Sequence, residues 1–118
     1  MYYICIMETE KTNAQMRKGV LELCILSIVS RDDAYASDII GKLKYAKLIV
    51  VEGTLYPLLT RLKNEGLLSY RWEESTQGPP RKYYKITESG QRILKQMTSE
   101  WKGMVEAVEQ LLGEDRRA

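Results

Sequence analysis

GTLYPLLTRLKNEGLL, residues 53–68, decides how the rest of the chain is read. Leu55, Leu58, Leu59 and Leu62 recur at i, i+3, i+4 and i+7, which is one apolar face at helical period. Asn64 and Gly66 supply a stop, with Gly66 free to take a positive φ just past the helix end. The opposite face carries Gly53, Tyr56, Pro57, Thr60 and Asn64, flanked by Thr54 and Arg61. A helix meant only for solvent would show Glu and Lys there. This face is small, hydroxylated and almost free of acid, as a helix lying in a DNA groove needs to be. An ordinary amphipathic helix short of charge would read the same way. Pro57 falls early in the helix, where a lost N–H is cheapest.

Upstream, residues 19–30, GVLELCILSIVS, form a helix that is apolar nearly all round, with only Glu22 and Ser27 polar. Such a helix must be covered on several sides, so a second subunit is expected to supply part of the cover. The polar run 12–18 leads into it, with Thr12 or Asn13 as N-cap. Residues 31–34 read as a polar turn. A second helix follows over 36–47, with Ile39, Ile40 and Leu43 inward. Tyr35 and Ser37 stand at its start, where free backbone N–H groups can meet a phosphate. Lys42, Lys44 and Lys47 read as a solvated face.

Downstream, LSYRWEE alternates Leu68, Tyr70 and Trp72 against Ser69, Arg71 and Glu73, the pattern of a half-buried strand. STQGPP reads as a turn. RKYYKI returns as a second strand, with Tyr84 and Ile86 on one face and Arg81, Tyr83 and Lys85 on the other. Thr87 is a good N-cap for a helix over 88–112. In that helix Leu94, Met97, Trp101, Met104, Val108 and Leu111 are spaced alternately three and four apart, an a/d seam over more than two heptads. A seam this long on a terminal helix points to a dimer, although a seam can also pack within its own domain.

Composition sets the limits. The 118 residues suffice for one modest core, and 44% apolar with 29% charged residues is ordinary for a globular chain. A net charge of +2 neither demands nor excludes nucleic acid, so placement of charge must decide. Cys5 and Cys24 are the only cysteines, which fits a reduced cytoplasmic protein without a disulfide framework. There is no histidine and no CxxC, which excludes a zinc site or a histidine-dependent catalytic set. No nucleophile, base and orienter come together, so an enzyme is disfavoured and no cofactor is expected. MYYICIM is apolar but too short for a membrane span. Residues 1–6 read as a start-site extension or a flexible arm. The expected organisation is an N-terminal arm over 1–11, a DNA-binding domain over 12–87, a dimerisation helix over 88–112 and a frayed tail over 113–118.

Three helices, a hairpin and a long helix make an α+β, mainly α chain: a winged helix-turn-helix with a C-terminal dimerisation helix. GTLYPLL, the hairpin end GPPRKYYKIT and the Gly90 after it resemble the PadR family of bacterial transcriptional repressors. The resemblance covers residues 19–112, and the single long helix at the end is similar to the small, multidrug-responsive subgroup. It implies a homodimer on a two-fold symmetric stretch of double-stranded DNA. It assigns Thr54, Tyr56, Pro57, Thr60 and Arg61 to the recognition helix, Arg81 and Lys82 to the wing, and Tyr35 to a phosphate contact. It further implies that Trp101 lines a gap between subunits that accepts a flat aromatic ligand; Met97 and Met104 beside it are adaptable side chains that tolerate varied shapes. A Trp101 buried against the partner's first helix is the alternative. The two prolines of the wing turn depart from the family pattern and are expected to stiffen its tip. A winged-helix interaction module without specific DNA binding, favoured by the low net charge, stays open on sequence alone.

Overall fold

A computed structural model describes residues 20–48 and 52–115. The N-terminal arm, the Thr12 and Asn13 caps and Cys5 lie outside the described residues. The elements are α1 (Leu21–Arg31), β1 (Ala34–Tyr35), α2 (Ala36–Tyr45), α3 (Glu52–Asn64), β2 (Leu68–Ser75), β3 (Gly78–Ile86) and α4 (Glu88–Asp115). The three strands form one antiparallel sheet in the order β1-β3-β2. The core lies between this sheet and the helices. Ile25, Leu26 and Val29 of α1, Ile39 and Leu43 of α2, and Leu55, Leu59 and Leu62 of α3 are buried, and Leu68, Tyr84 and Ile86 close it from the sheet.

Two helices end in the same way. Past α3, the Gly66 N–H donates to the Lys63 carbonyl at 3.0 Å and the Leu67 N–H to the Leu62 carbonyl at 2.9 Å, with Gly66 at φ 79°. Those paired bonds are a Schellman stop, as the glycine led one to expect. Past α2, Lys47 donates to Lys44 at 2.9 Å and Leu48 to Leu43 at 2.8 Å. Here the left-handed position is held by Lys47, at φ 64°. The second helix therefore closes at Tyr45 and not at the expected Lys47. Lysine is not a stop residue, so the sequence carried no sign of it.

Three further readings need correction. The segment 31–34 is not wholly a polar turn: Ala34 is buried and pairs with Tyr84 of β3, while Tyr35 pairs with Tyr83. Pro57 is the sixth residue of α3, so it removes the donor that the Gly53 carbonyl would otherwise receive. The prolines are not at the wing tip. The turn is Thr76–Gln77, and Pro79 and Pro80 lie in β3. Proline gives the ladder no N–H, and the pairing of β2 with β3 shifts register between Glu73 and Ser75, opposite the two prolines.

Thr87 caps α4 and ties it down. Its Oγ1 accepts from the Gly90 N–H at 2.9 Å and donates to the Gly66 carbonyl at 2.6 Å, while its N–H reaches the Leu67 carbonyl at 3.1 Å. The first turns of α4 then lay Ile93, Leu94 and Met97 on the core. Beyond them the helix runs clear: Trp101 is 42% exposed and Met104 58%, and Val108, Leu111 and Leu112 are also bare. The seam read from the sequence is thus divided. Leu94 and Met97 pack on their own domain, and Trp101 onward does not.

Candidate nucleic-acid interface

The outward face of α3 is open. Gly53, Thr54, Tyr56, Pro57, Thr60 and Asn64 are exposed, and none carries a carboxylate. Helical geometry puts Tyr56 and Lys63 on one flank of that face and Thr54 and Arg61 on the other. The two flanks differ in their partners. Arg61 reaches back to α1, with Nη1 3.1 Å from Glu22, and along the helix to Glu65 at 3.2 Å. Its charge is matched before any ligand arrives, which sets it apart from the other residues expected here.

Strand alternation sends Arg81 and Lys82 to opposite faces of the hairpin. Arg81 turns toward α2. Its Nη2 donates to Ser37 Oγ at 2.6 Å, and its guanidinium lies 4.0 Å from the centre of the Tyr35 ring. Tyr35 packs at a tilt of 59° on Tyr83, with ring centres 4.7 Å apart, and Arg71 covers Tyr83 at 4.4 Å. Arg71 is in turn paired with Asp33 at 3.4 Å and Glu73 at 3.5 Å. On the outer face of the sheet, two neighbouring rings are thus covered by a cation at each end, and the stack fastens the wing to the start of α2.

That start is less free than the sequence suggested. The Tyr35 N–H is taken by the Asp38 carboxylate at 3.0 Å, and the Ser37 hydroxyl by Arg81. Its ring is taken up by Arg81 and Tyr83, so what Tyr35 can offer is its hydroxyl. The hydroxyl titrates above the ordinary tyrosine range, because it is partly desolvated and then because Glu73 stands beside it; Arg81 works in the other direction. It is therefore a neutral donor at physiological pH, the form that can hydrogen-bond a phosphate.

Lys82 turns the other way, toward α3. Its Nζ lies 4.6 Å from the centre of the Tyr70 ring and 5.4 Å from that of Trp72. Two residues that sequence reasoning passed over belong here. Lys63 of α3 stands 5.7 Å from the same Tyr70 ring, and Trp72 is 60% exposed although its alternation places it with Leu68 and Tyr70. The alternation was right about the face, but the hairpin has left the core by that point. Lys42 and Lys44 are exposed on α2 and Lys47 just past its end, as a solvated face should be.

An open helix face between two cation-bearing flanks, carried by three helices and a winged sheet, is an arrangement for binding a duplex. Residues 25–96 match the family described as the transcriptional regulator PadR-like family. The chain belongs to that family. As a PadR-family member it is a DNA-binding transcriptional regulator with a winged helix-turn-helix fold, and not an enzyme. It is similar to a PadR-like transcription factor from Bacteroides fragilis, with 60% identity over 86% of this chain and 98% of that one and a TM-score of 0.73. A PadR-family transcriptional regulator from Eggerthella lenta is 32% identical over 95% of this chain and 96% of its own, at a TM-score of 0.82. A PadR-like regulator from Bacillus cereus is 40% identical over 83% and 96%, at 0.74. Among the described residues no helix is long and apolar enough to cross a membrane, and no cluster of side chains could hold a metal ion.

Proposed function

We propose that this PadR-family protein is a cytoplasmic homodimeric repressor of a pseudo-palindromic operator, released from DNA by a flat aromatic ligand. The observation that carries the operator reading is the exposed, carboxylate-free face of α3, with wing cations beside it. Thr54, Tyr56, Pro57 and Thr60 meet base edges in the major groove, where hydroxyl and apolar groups can discriminate bases. Arg81 and Lys82 meet phosphates on the two sides of the wing, and Tyr35 meets one at the start of α2. A second copy, seated against the bare part of α4, sets two recognition helices roughly one turn of duplex, or a multiple of it, apart.

Exposure of Trp101, Met104, Val108 and Leu111 supports the dimer, because an apolar stripe of that length is rarely left in water. Leu94 and Met97 contribute by fixing the helix to its own domain. Met97 is thereby a supporting residue of the ligand gap, and Trp101 and Met104 are its lining. Two symmetry-related indoles facing across the seam would stack on a planar ligand, and methionine adapts to varied shapes. The test is band-shift titration of the protein on the DNA upstream of its own gene at two salt concentrations, with sedimentation of the free protein. Salt-sensitive binding that survives excess unrelated duplex, by a protein that sediments as a dimer, is expected. A stable, well-folded monomer at micromolar concentration, or binding that unrelated duplex competes away equally, would overturn the reading. In a Trp72→Phe background, saturable quenching of Trp101 by planar cationic dyes tests the ligand gap. Its absence across a panel of dyes would remove that part alone.

A further inference from the structure

The cations around α3 and the wing fall into two groups by their partners. Arg61 is matched by Glu22 and Glu65, and Arg71 by Asp33 and Glu73. Lys63 and Lys82 form no ion pair with any described carboxylate. They come from different elements, α3 and β3, and both converge on the ring of Tyr70, at 5.7 and 4.6 Å. Attraction to the ring's electron-rich face holds each ammonium in place, but it does not cancel the charge, and the two like charges repel. A convergence of uncompensated cations is a place for an anion.

The neighbouring surface narrows the choice of anion. Trp72 lies on the same face of the hairpin, edge-on to Tyr70 with centroids 6.1 Å apart, and is 60% exposed. The Tyr84 hydroxyl is raised above its ordinary range by burial first, then by neighbouring Tyr56 and Tyr70. Tyr56, exposed on the same flank of α3 as Lys63 and two helical turns before it, adds aromatic surface on that side. An anion site flanked by bare aromatic surface fits a chain of phosphates joined by apolar sugars better than an isolated small anion. Lysine adds to this, since it presents a point charge suited to a phosphate oxygen and has no fork for bidentate base readout.

We propose that Lys63 and Lys82 form a clamp on one strand of the duplex, where that strand passes between the end of α3 and the wing. The two ammonium groups take phosphate oxygens, and the Trp72 indole packs on the deoxyribose between them. This rests on the DNA reading above and adds to it a backbone site that bridges two elements and fixes the angle of the wing relative to the recognition helix. Arg61, expected from its position to contact DNA, is left out of the clamp because its charge is already matched.

The experiment is anisotropy titration of a labelled duplex of arbitrary sequence over a series of salt concentrations. Wild type, Lys63→Gln, Lys82→Gln, the double variant and Arg61→Gln are compared, with Lys63→Arg and Lys82→Arg as charge-preserving controls. Each single Lys→Gln change should lower the slope of log affinity against log salt by about 0.9, and the double by about twice that. Arg61→Gln and both Lys→Arg variants should keep the wild-type slope. Trp72→Ala should weaken binding at every salt concentration without changing the slope. Salt-dependent binding by the wild type with unchanged slopes in both Lys→Gln variants would overturn the clamp and leave the DNA reading standing. No salt-dependent binding by the wild type would overturn both.

Discussion

Gly90 is the position where one methyl group should do the most harm. A Cβ built there falls on the backbone carbonyl oxygen of Leu67 and 2.7 Å from Ile86 Cγ1. The carbonyl cannot turn aside, because it already accepts the Thr87 N–H at 3.1 Å. To admit alanine, α4 must lift away from the base of the hairpin. The lift weakens the Thr87 cap, where Oγ1 accepts from Gly90 at 2.9 Å, and loosens Ile86, which is 7% exposed. Loss of a cap costs about 0.5–2 kcal/mol. Overpacking against a rigid neighbour costs a further ~1–3 kcal/mol. Against this stands the gain of roughly 1 kcal/mol that alanine brings to a helix. The balance is a loss of about 0.5–4 kcal/mol, centred on roughly 2 kcal/mol, or on the order of 10 °C in Tm for a domain of this size. Gly41 is the control, since it is helical, exposed and has open space around its missing Cβ. Gly41→Ala should gain about 0.5–1 kcal/mol. Thermal and urea denaturation followed by circular dichroism would measure both. A Gly90→Ala protein as stable as Gly41→Ala would refute the account of how α4 is seated.

Other outcomes follow from the same geometry. Met104→Asp puts an unpaired charge into the bare stripe of α4, at a cost of several kcal/mol in order of magnitude if the stripe is buried between subunits; sedimentation should then show dissociation, and DNA binding should fall with it. Arg81→Ala should weaken binding to every duplex and lower the salt slope by about 0.9, whereas Thr60→Ala should change which sequences are preferred and leave the slope alone, as selection from a randomised duplex pool would reveal. Lys47→Gly should stabilise the fold by roughly 1 kcal/mol, because a left-handed φ strains any residue with a Cβ; an unchanged or lower urea midpoint would show that the lysine stem supplies compensating contacts.

Local signals were legible in the sequence and distant partners were not. The leucine period, Gly66 as a stop and Thr87 as a cap each act within a few residues, and each stands where the pattern put it. A strand of two residues has no period to detect, so β1 was invisible. It exists because Ala34 and Tyr35 come up against the free edge of β3. The end of α2 was missed because a lysine fills a position usually given to glycine. The a/d seam was real, but periodicity names a face and not what covers it. The same helix face serves its own core at Leu94 and Met97 and then runs bare from Trp101.

The site shows the same division, and it bears on the weak net charge. Taken alone, a charge of +2 favours an interaction module that does not bind DNA. Net charge, however, adds groups that cancel in space to groups that do not. Glu22 lies 39 positions before Arg61 and Asp33 lies 38 before Arg71, so only the fold could reveal that those two arginines are matched. Their acids are spent on the rims of the surface, at α1 and behind the wing. What remains toward α3 is Lys63 and Lys82 without carboxylate partners, while on the other face of the wing Arg81 is bonded to the neutral Ser37. The field that a duplex meets is set by this local excess more than by the sum over the chain, because screening confines each charge to its neighbourhood. The low net charge is therefore no argument against DNA.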